Sequence, residues 1–214
     1  MSYQKSRELR QRIDDAAYKL FSENGYNNVT LLDIAKEVGI SRTTLYYYYR
    51  NKYAIADHLL DLQCEKVDFL TQECINIGMP LLEIAILPFF IFLKTFEKNI
   101  PLGEIYFTGF DFENRLPKEI ELLKSKYSYP AIWKLFDECG QPLSEDDKTA
   151  ILLSINAIWR SFLRAATNGI LPFSSRQILD NVFCLTILNR LQIPKETYEK
   201  HANAIEQFIN EHYI

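Results

Sequence analysis

Glycine is scarce in this sequence, and its scarcity excludes the common nucleotide-binding and hydrolase motifs. The 214 residues contain seven isolated glycines, and none belongs to a G-x-G-x-x-G, P-loop or G-x-S-x-G motif. Such loops are how many enzymes hold phosphates or present a nucleophile. We therefore predict that the protein is not an enzyme and uses no cofactor.

Clustered metal ligands and long apolar runs are also missing. The cysteines at 64, 74, 139 and 184 form no C-x-x-C pair and the three histidines form no H-x-x-x-H pair, so reduced thiols and no metal site are predicted. The longest uncharged apolar run, 84–93, has ten residues, whereas a membrane helix needs about 20. Because the N-terminus has no apolar signal segment, we expect a cytoplasmic protein without a membrane partner.

Positive charge is concentrated at one end of the chain. Residues 1–55 contain nine Lys and Arg against six Asp and Glu, a net charge of +3, although the whole chain has a net charge of −4. The other residues therefore carry −7, which is −4 minus +3. A polyanionic partner is expected to meet the N-terminal quarter. It stays open whether this partner or only solvent contacts Arg7, Arg10 and Arg12.

Apolar residues recur at three- and four-residue spacing near the N-terminus and predict three short helices. The first helix ends at Gly25. Thr30 and Asp33 form a capping box for a second helix that ends at Gly39, and Ser41 caps a third helix. The first apolar stripe comprises Leu9, Ile13, Ala16, Ala17, Leu20 and Phe21. Two short helices joined by a tight glycine turn indicate a helix-turn-helix.

The rest of the chain also has helical periodicity, and no strand alternation is present, so the predicted fold class is all-α. A long helix over 52–76 is broken at Gly78-Met79-Pro80, and Pro101 and Pro117 stand where helices can begin. Ser174 and Gln177 predict a capping box. The further predicted helices are 81–98, one from 130 through 136, 144–168, 174–191 and one from 194 to the C-terminus.

The N-terminal residues resemble the DNA-binding domain of tetracycline-repressor-like (TetR family) regulators over about 8–56. The resemblance rests on the order and spacing of Gly25-Tyr26, Thr30, Ile34-Ala35, Gly39-Ile40-Ser41, Leu45-Tyr46, Tyr49 and Lys52. Tyr49 stands where many members carry Phe. The resemblance implies an all-α homodimer, with a three-helix DNA-binding domain at 1–55 and a ligand-binding and dimerisation domain at 56–214.

The third helix contains four consecutive tyrosines, and helical rotation of about 100° per residue separates them. With Leu45 facing inward, Tyr49 falls in the core and Tyr48 at its edge, whereas Tyr46 and Tyr47 face outward. Arginine pairs with guanine and threonine touches thymine in the major groove, while tyrosine hydroxyls suit phosphates. The predicted DNA contacts are Thr30, Ser41, Arg42, Thr43, Thr44, Tyr46, Tyr47, Tyr48, Arg50 and Lys52.

Two wide apolar stripes lie on the helices that follow Ser144 and Ser174. In the resembled family, the corresponding helices pair with their copies across a two-fold axis, which places the homodimer interface at about 146–168 and 175–192. The same stripes also suit an intramolecular core, and each can serve both purposes. A two-fold dimer would present two reading helices about 34–36 Å apart to palindromic double-stranded DNA.

Aromatic residues are concentrated between about Phe89 and Trp133 and predict a pocket for an unknown small-molecule effector. Asn156 and Arg160 are its predicted polar contacts. Since a ring at helical spacing belongs to the core more often than to a ligand site, we expect about a third of the candidates to touch ligand. The candidates are Phe92, Phe96, Tyr106, Phe110, Trp133, Phe136, Asn156, Trp159 and Arg160.

The leading functional hypothesis is a ligand-responsive transcriptional regulator. Its main form is a repressor that binds a palindromic operator as a dimer and is released by a small molecule. An activator or co-regulator of the same fold is the first alternative, and a small-molecule-binding enzyme is the second. The sequence leaves the effector, the operator and the sign of regulation open.

Overall fold

A computed structural model describes residues 3–98, 128–172 and 174–212, and every regular element in these ranges is helical. This result confirms the predicted all-α fold class. A 3-10 turn covers Tyr26–Asn28, and a π-helical segment covers Cys184–Leu188. The helices are α1 Tyr3–Asn24, α2 Leu31–Val38, α3 Arg42–Tyr48, α4 Lys52–Asn76, α5 Leu81–Lys98, α6 Ser128–Glu138, α7 Glu145–Thr167, α8 Ser175–Phe183, α9 Asn189–Leu191 and α10 Lys195–His212.

The chain divides into two compact units, and the division falls inside α4, between Gln63 and Cys64. The first unit contains α1, α2, α3 and the beginning of α4. The described part of the second unit contains the rest of α4 and the later helices. The predicted boundary after residue 55 lies in the same helix.

The first unit is built around the predicted apolar stripe of α1. Ile13, Ala17 and Phe21 are fully buried, α2 packs on α1, and Ile34 and Ala35 of α2 are buried as well. Burial of a side chain such as Phe21 contributes about 1.5–3 kcal/mol. These residues therefore position the short helices that follow, as their spacing predicts.

The turn between α2 and α3 depends on one glycine and one serine. Gly39 has a φ of 74°, in the left-handed region that side chains disfavour, and it ends α2. Ser41 then caps α3 by accepting a hydrogen bond from the Thr44 amide at 3.0 Å. The helix-turn-helix predicted from the sequence is therefore present.

Helices of the second unit begin largely as predicted. Ser144 and Asp147 form the reciprocal capping box of α7. At α8 the Gln177 amide donates to the Ser174 hydroxyl, and the Ser175 amide donates to the Glu97 carboxylate of α5. Ser174 therefore caps α8 as predicted, but the reciprocal bond from the Ser174 amide to the Gln177 side chain is absent, so the predicted capping box is wrong in that half.

The predicted continuous helix over 174–191 is wrong in one respect. Residues 184–188 are π-helical, so the α-helical hydrogen-bond pattern is interrupted between α8 and α9. A π-helix inserts an extra residue into the turn, and a periodicity count over the whole segment does not detect it.

Several other observations complete the fold. α5 continues through Pro88 although proline removes one helical hydrogen bond. No helix within the described ranges combines the length and apolarity that crossing a membrane requires. The predicted helix starts at Pro101 and Pro117 lie outside the described residues.

Candidate nucleic-acid interface

The four tyrosines around the end of α3 are divided between the core and the surface as predicted. Leu45 is fully buried and Tyr49 is 3% exposed, whereas Tyr48 is half-buried. Tyr46 and Tyr47 are 41% and 83% exposed. The helix itself ends at Tyr48, because Tyr49 has extended backbone angles. Tyr49 is therefore a core residue beyond the helix end.

The exposed side chains of α3 and the next turn form what we call the reading surface, defined as Arg42, Thr43, Tyr46, Tyr47 and Arg50. All five are exposed. The Arg42 guanidinium donates to the Tyr46 hydroxyl at 3.0 Å, and its carbon lies 5.3 Å from the centre of that ring. This contact holds two hydrogen-bonding groups together on the outer face. The reading surface combines cations, hydroxyls and methyl groups, which is the chemistry that a major groove accepts.

Three other predicted DNA contacts have structural roles in the same helix. The Ser41 hydroxyl caps α3 and also shares a 2.8 Å hydrogen bond with the Thr44 hydroxyl. Tyr48 places its hydroxyl 3.3 Å from Ser6 of α1. These contacts fix where the helix begins and how its far end packs. Contact of these residues with DNA stays a prediction.

Thr30 is exposed and is engaged in a capping box. Its hydroxyl donates to the Asp33 carboxylate at 2.6 Å and accepts from the Asp33 amide at 3.2 Å. Hydrogen bonds from the Thr30 hydroxyl and amide hold the pKa of Asp33 below its usual value. The carboxylate thus occupies part of the positive end of α2, which weakens the attraction of this helix end for a phosphate.

Lys52 is directed toward the protein's own backbone. Its ammonium donates to the Tyr26 carbonyl at 2.6 Å and to the Val29 carbonyl at 2.8 Å, and it lies 4.2 Å from the centre of the Tyr26 ring. Burial lowers the pKa of Lys52. The lysine therefore fastens the start of α4 to the 3-10 turn. A phosphate contact through its third hydrogen stays a prediction.

Two further cations of the first unit bind groups within that unit. Arg12 donates to the Val38 carbonyl at the end of α2, at 2.7 Å. Lys19 forms a 2.8 Å ion pair with Glu37. Part of the positive charge counted in 1–55 therefore joins α1 to α2, and the arginines of the reading surface are the better candidates for meeting a polyanion.

A polar network that the sequence did not predict lies beneath the end of α3. The Tyr49 hydroxyl accepts from Arg10 Nε at 3.1 Å and donates to Asp14 Oδ1 at 2.5 Å. The second Asp14 oxygen lies 3.4 Å from His58 Nε2 of α4. Burial raises the pKa of Asp14, and the hydrogen bond from Tyr49 opposes that rise. This network connects α1, the end of α3 and α4.

One signal in the sequence could have located Asp14. Counted from Ile13 at about 100° per residue, Asp14 lies at about 100° around α1 and the buried Phe21 at about 80°. The carboxylate therefore belongs to the buried face, where it needs a donor. Tyr49 supplies that donor through the hydroxyl that distinguishes it from Phe.

Aromatic rings in the second unit form what we call the aromatic cluster, defined as Phe89, Tyr129, Trp133, Trp159 and Phe183. Phe89 of α5 is its centre, since its ring meets Trp159 at 5.5 Å, Phe183 at 5.6 Å and Tyr129 at 6.1 Å, each nearly edge-on. Trp133 stacks on Tyr129 at 5.7 Å. The cluster joins α5, α6, α7 and α8.

The structure brings together only some of the predicted pocket residues. Trp133 and Trp159 belong to the aromatic cluster, while Phe92 and Phe96 form a pair at 6.3 Å. Phe136 is fully buried and Arg160 is half-buried. Tyr106, Phe110 and the side chain of Asn156 lie outside the described residues. Phe89 was missed because α5 is apolar nearly all round and its periodicity does not single out one ring.

In the described ranges, no three His, Cys, Asp or Glu side chains lie where they could hold a metal ion.

Comparison with known proteins identifies the first unit. The model for "Bacterial regulatory proteins, tetR family" matches residues 13–59, which include α2, α3, Asp14, Tyr49 and His58. A curated relative from Staphylococcus aureus (strain Newman), the "Biofilm operon icaADBC HTH-type negative transcriptional regulator IcaR", is 26% identical over 186 residues. The match covers 83% of this chain and 96% of that relative.

Solved structures with low sequence identity share the fold over most of the chain. A structure of RolR in complex with resorcinol has a TM-score of 0.63 at 14% identity and covers 93% of this chain and 95% of its own. Thermus thermophilus FadR, a tetR-family transcriptional repressor in complex with lauroyl-CoA, also has a TM-score of 0.63, at 17% identity, with coverage of 83% and 92%.

Proposed function

Because the chain belongs to the tetR family of bacterial regulatory proteins, we propose that it is a ligand-responsive transcriptional repressor that binds a palindromic operator as a homodimer. The observation that carries this proposal is the reading surface on α3. Arg42, Thr43, Tyr46 and Tyr47 project from a short helix that is fixed on its other side by Leu45. A helix with this arrangement can enter the major groove by its N-terminal end.

Roles within the reading surface follow from side-chain chemistry. Arg42 lies at the first position of α3 and can pair with a guanine edge, and Thr43 can touch a thymine methyl. Tyr46 and Tyr47 end in hydroxyls on stiff rings, which suit phosphate oxygens, and Arg50 adds charge toward the backbone. Ser41 and Thr44 are proposed to act mainly by starting the helix, because their hydroxyls are engaged in its cap.

Dimerisation is proposed through α7 and the α8–α9 segment, within the predicted ranges 146–168 and 175–192. These helices pack on each other, yet each leaves a leucine in water, since Leu153 is 45% and Leu185 is 59% exposed. Ser154, Ala157 and Ser161 beside Leu153 on α7 are small and exposed. A second copy would cover the leucines, and small residues would allow close approach.

We propose the sign of regulation by analogy with a named relative, and the presence of an effector by analogy with solved structures of the same fold. IcaR is a negative transcriptional regulator by name, which favours a repressor over an activator or co-regulator. RolR and FadR were solved with a small molecule bound, which supports an effector in the second unit here. We propose binding without turnover, and a cytoplasmic location where the operator is found.

A gel-shift experiment tests the proposal. Purified full-length protein is titrated on DNA that flanks its gene, at about 0.1 M salt. Wild type is expected to bind, whereas Arg42→Ala and Tyr47→Ala are each expected to lose about 1–3 kcal/mol, or roughly five- to 150-fold. Lys66→Ala is the matched control, because Lys66 is an exposed cation in the second unit's part of α4. Equal binding by all four proteins would refute the assignment of the reading surface.

A second measurement separates the alternatives. Loss of the shift on adding a small molecule supports a repressor released by its effector, while a shift that requires the small molecule favours an activator or co-regulator. Chemical conversion of that molecule by the purified protein would refute binding without turnover.

A further inference from the structure

The indole nitrogen of Trp159 is buried and has no hydrogen-bond partner in the described part of the chain. Trp159 is 2% exposed, so solvent does not satisfy this group. A buried donor left unpaired is unfavourable, and folded proteins contain few of them. Because indole has one N–H and no acceptor, the missing partner must be a hydrogen-bond acceptor.

Ring contacts connect Trp159 to the partly open end of the aromatic cluster. Phe89 lies against Trp159 at 5.5 Å, and Tyr129 and then Trp133 continue the aromatic cluster at ring distances of 6.1 and 5.7 Å. Trp133 is half-buried, so the far end of this row of rings is partly open to water. An apolar molecule that enters from this end would pack against the same rings.

The charged groups at the other end of the cluster already have partners. Tyr198 stacks on Phe183 at 6.1 Å and donates to the Asp180 carboxylate at 2.8 Å. Arg176 Nε donates to the same carboxylate oxygen at 2.8 Å. A charged ligand group placed among the rings would be desolvated without a counter-charge from this pair. The cluster therefore favours an uncharged ligand.

We propose that the effector is an uncharged, mainly apolar molecule whose carbonyl- or ether-type oxygen accepts a hydrogen bond from Trp159 Nε1. Its apolar body packs against Phe89 and the neighbouring rings of the aromatic cluster. This inference rests on the proposed function, because it assigns the chemical class of the effector that such a regulator would bind.

Two small probes of the same shape test the inference. Acetophenone and ethylbenzene differ in one respect that matters here, the carbonyl oxygen. The chain has two tryptophans, so its ¹⁵N-labelled full-length form gives two indole signals, and Trp133→Phe assigns the one that belongs to Trp159. Acetophenone is expected to move the Trp159 indole proton downfield and to bind about two- to tenfold more tightly than ethylbenzene.

A variant without the donor completes the test. Trp159→Phe keeps a ring but removes the N–H, so the two probes are expected to bind with equal affinity. A Trp159 signal that responds equally to both probes or to neither, or a preference that survives in Trp159→Phe, would overturn the inference. If Trp159→Phe fails to fold by circular dichroism, the indole shifts of the wild type decide alone.

The test also distinguishes this inference from the proposed function, because the titrations contain no DNA. A protein that discriminates the probes but never shifts its flanking DNA would overturn the regulator proposal and leave the Trp159 site standing. A protein that shifts DNA but does not discriminate the probes would overturn the Trp159 inference and leave the regulator proposal standing.

Discussion

Replacing Tyr49 with Phe removes a single hydroxyl from the network beneath α3, and its effect on stability can be worked out from the contacts. That hydroxyl donates to Asp14, which is 3% exposed, and accepts from Arg10. A hydrogen bond to a charged group contributes about 1.5–3 kcal/mol to stability. The bond from Arg10 contributes less, because Arg10 is exposed and its guanidinium can donate to water in the variant. We therefore expect Tyr49→Phe to lower the free energy of unfolding by about 2 kcal/mol, mostly through Asp14.

The neighbouring tyrosines supply matched controls for this substitution. Tyr48 is half-buried and shares a longer, uncharged contact of 3.3 Å with Ser6, and Tyr47 is 83% exposed. Tyr48→Phe is expected to cost about 0.5–1 kcal/mol and Tyr47→Phe about zero. Urea unfolding followed by circular dichroism, with hydrogen exchange of amides in the first unit, measures all three.

A double-mutant cycle with Asp14→Asn isolates the pair. Tyr49→Phe should cost about 1 kcal/mol less in the Asp14→Asn background, since the bond to a carboxylate has become a bond to a neutral amide. The reasoning is refuted if Tyr49→Phe costs no more than Tyr48→Phe, or if its cost is the same with and without the Asp14 carboxylate.

Three other outcomes are expected. Ser41→Ala should destabilise the start of α3 by about 1 kcal/mol and weaken DNA binding without changing its salt dependence, read from gel shifts at several salt concentrations. Leu185→Glu should convert dimer to monomer in analytical ultracentrifugation, while the equally charged Ile77→Glu, at a 71% exposed site, should not; a dimeric Leu185→Glu protein would contradict the proposed interface. Because burial raises the pKa of Asp14 in the folded state, its ionisation destabilises the protein increasingly as the pH rises above about 4. The free energy of unfolding of Asp14→Asn, measured by urea titration and compared with that of wild type, should therefore increase as the pH rises above about 4. A difference that does not change with pH would contradict the raised pKa of Asp14.

Periodicity and capping were enough to predict the first unit's helices and which tyrosines of α3 face outward. Leu45 is buried and Tyr47 is exposed because the α-helical period relates their positions directly, and Tyr49 is buried as predicted although it lies beyond the helix end. Partners between distant segments were not predictable in this way. The Asp14–Tyr49 pair joins residues 35 apart in the sequence, and neither residue alone indicates the other.

The second unit shows the same limit more strongly. α5 is apolar on nearly all sides, so its period cannot single out Phe89 as the centre of the aromatic cluster. Lys52 was predicted to face DNA from its position in the motif, yet its hydrogen bonds to the Tyr26 and Val29 carbonyls depend on the fold of the preceding turn. Because every residue type has a backbone carbonyl, a side chain that binds one leaves no pattern in the amino-acid sequence.

The π-helical segment Cys184–Leu188 has a consequence for comparing this chain with others. Such a segment arises when one residue is inserted into an α-helix and the fold absorbs it locally. In an alignment that treats 175–191 as an uninterrupted helix, every residue after 188 will therefore be matched to the wrong residue of any relative that lacks the insertion. Deleting one residue within 184–188 should restore the ordinary helical phase, and it would rotate Leu191 by about 100° relative to Leu179.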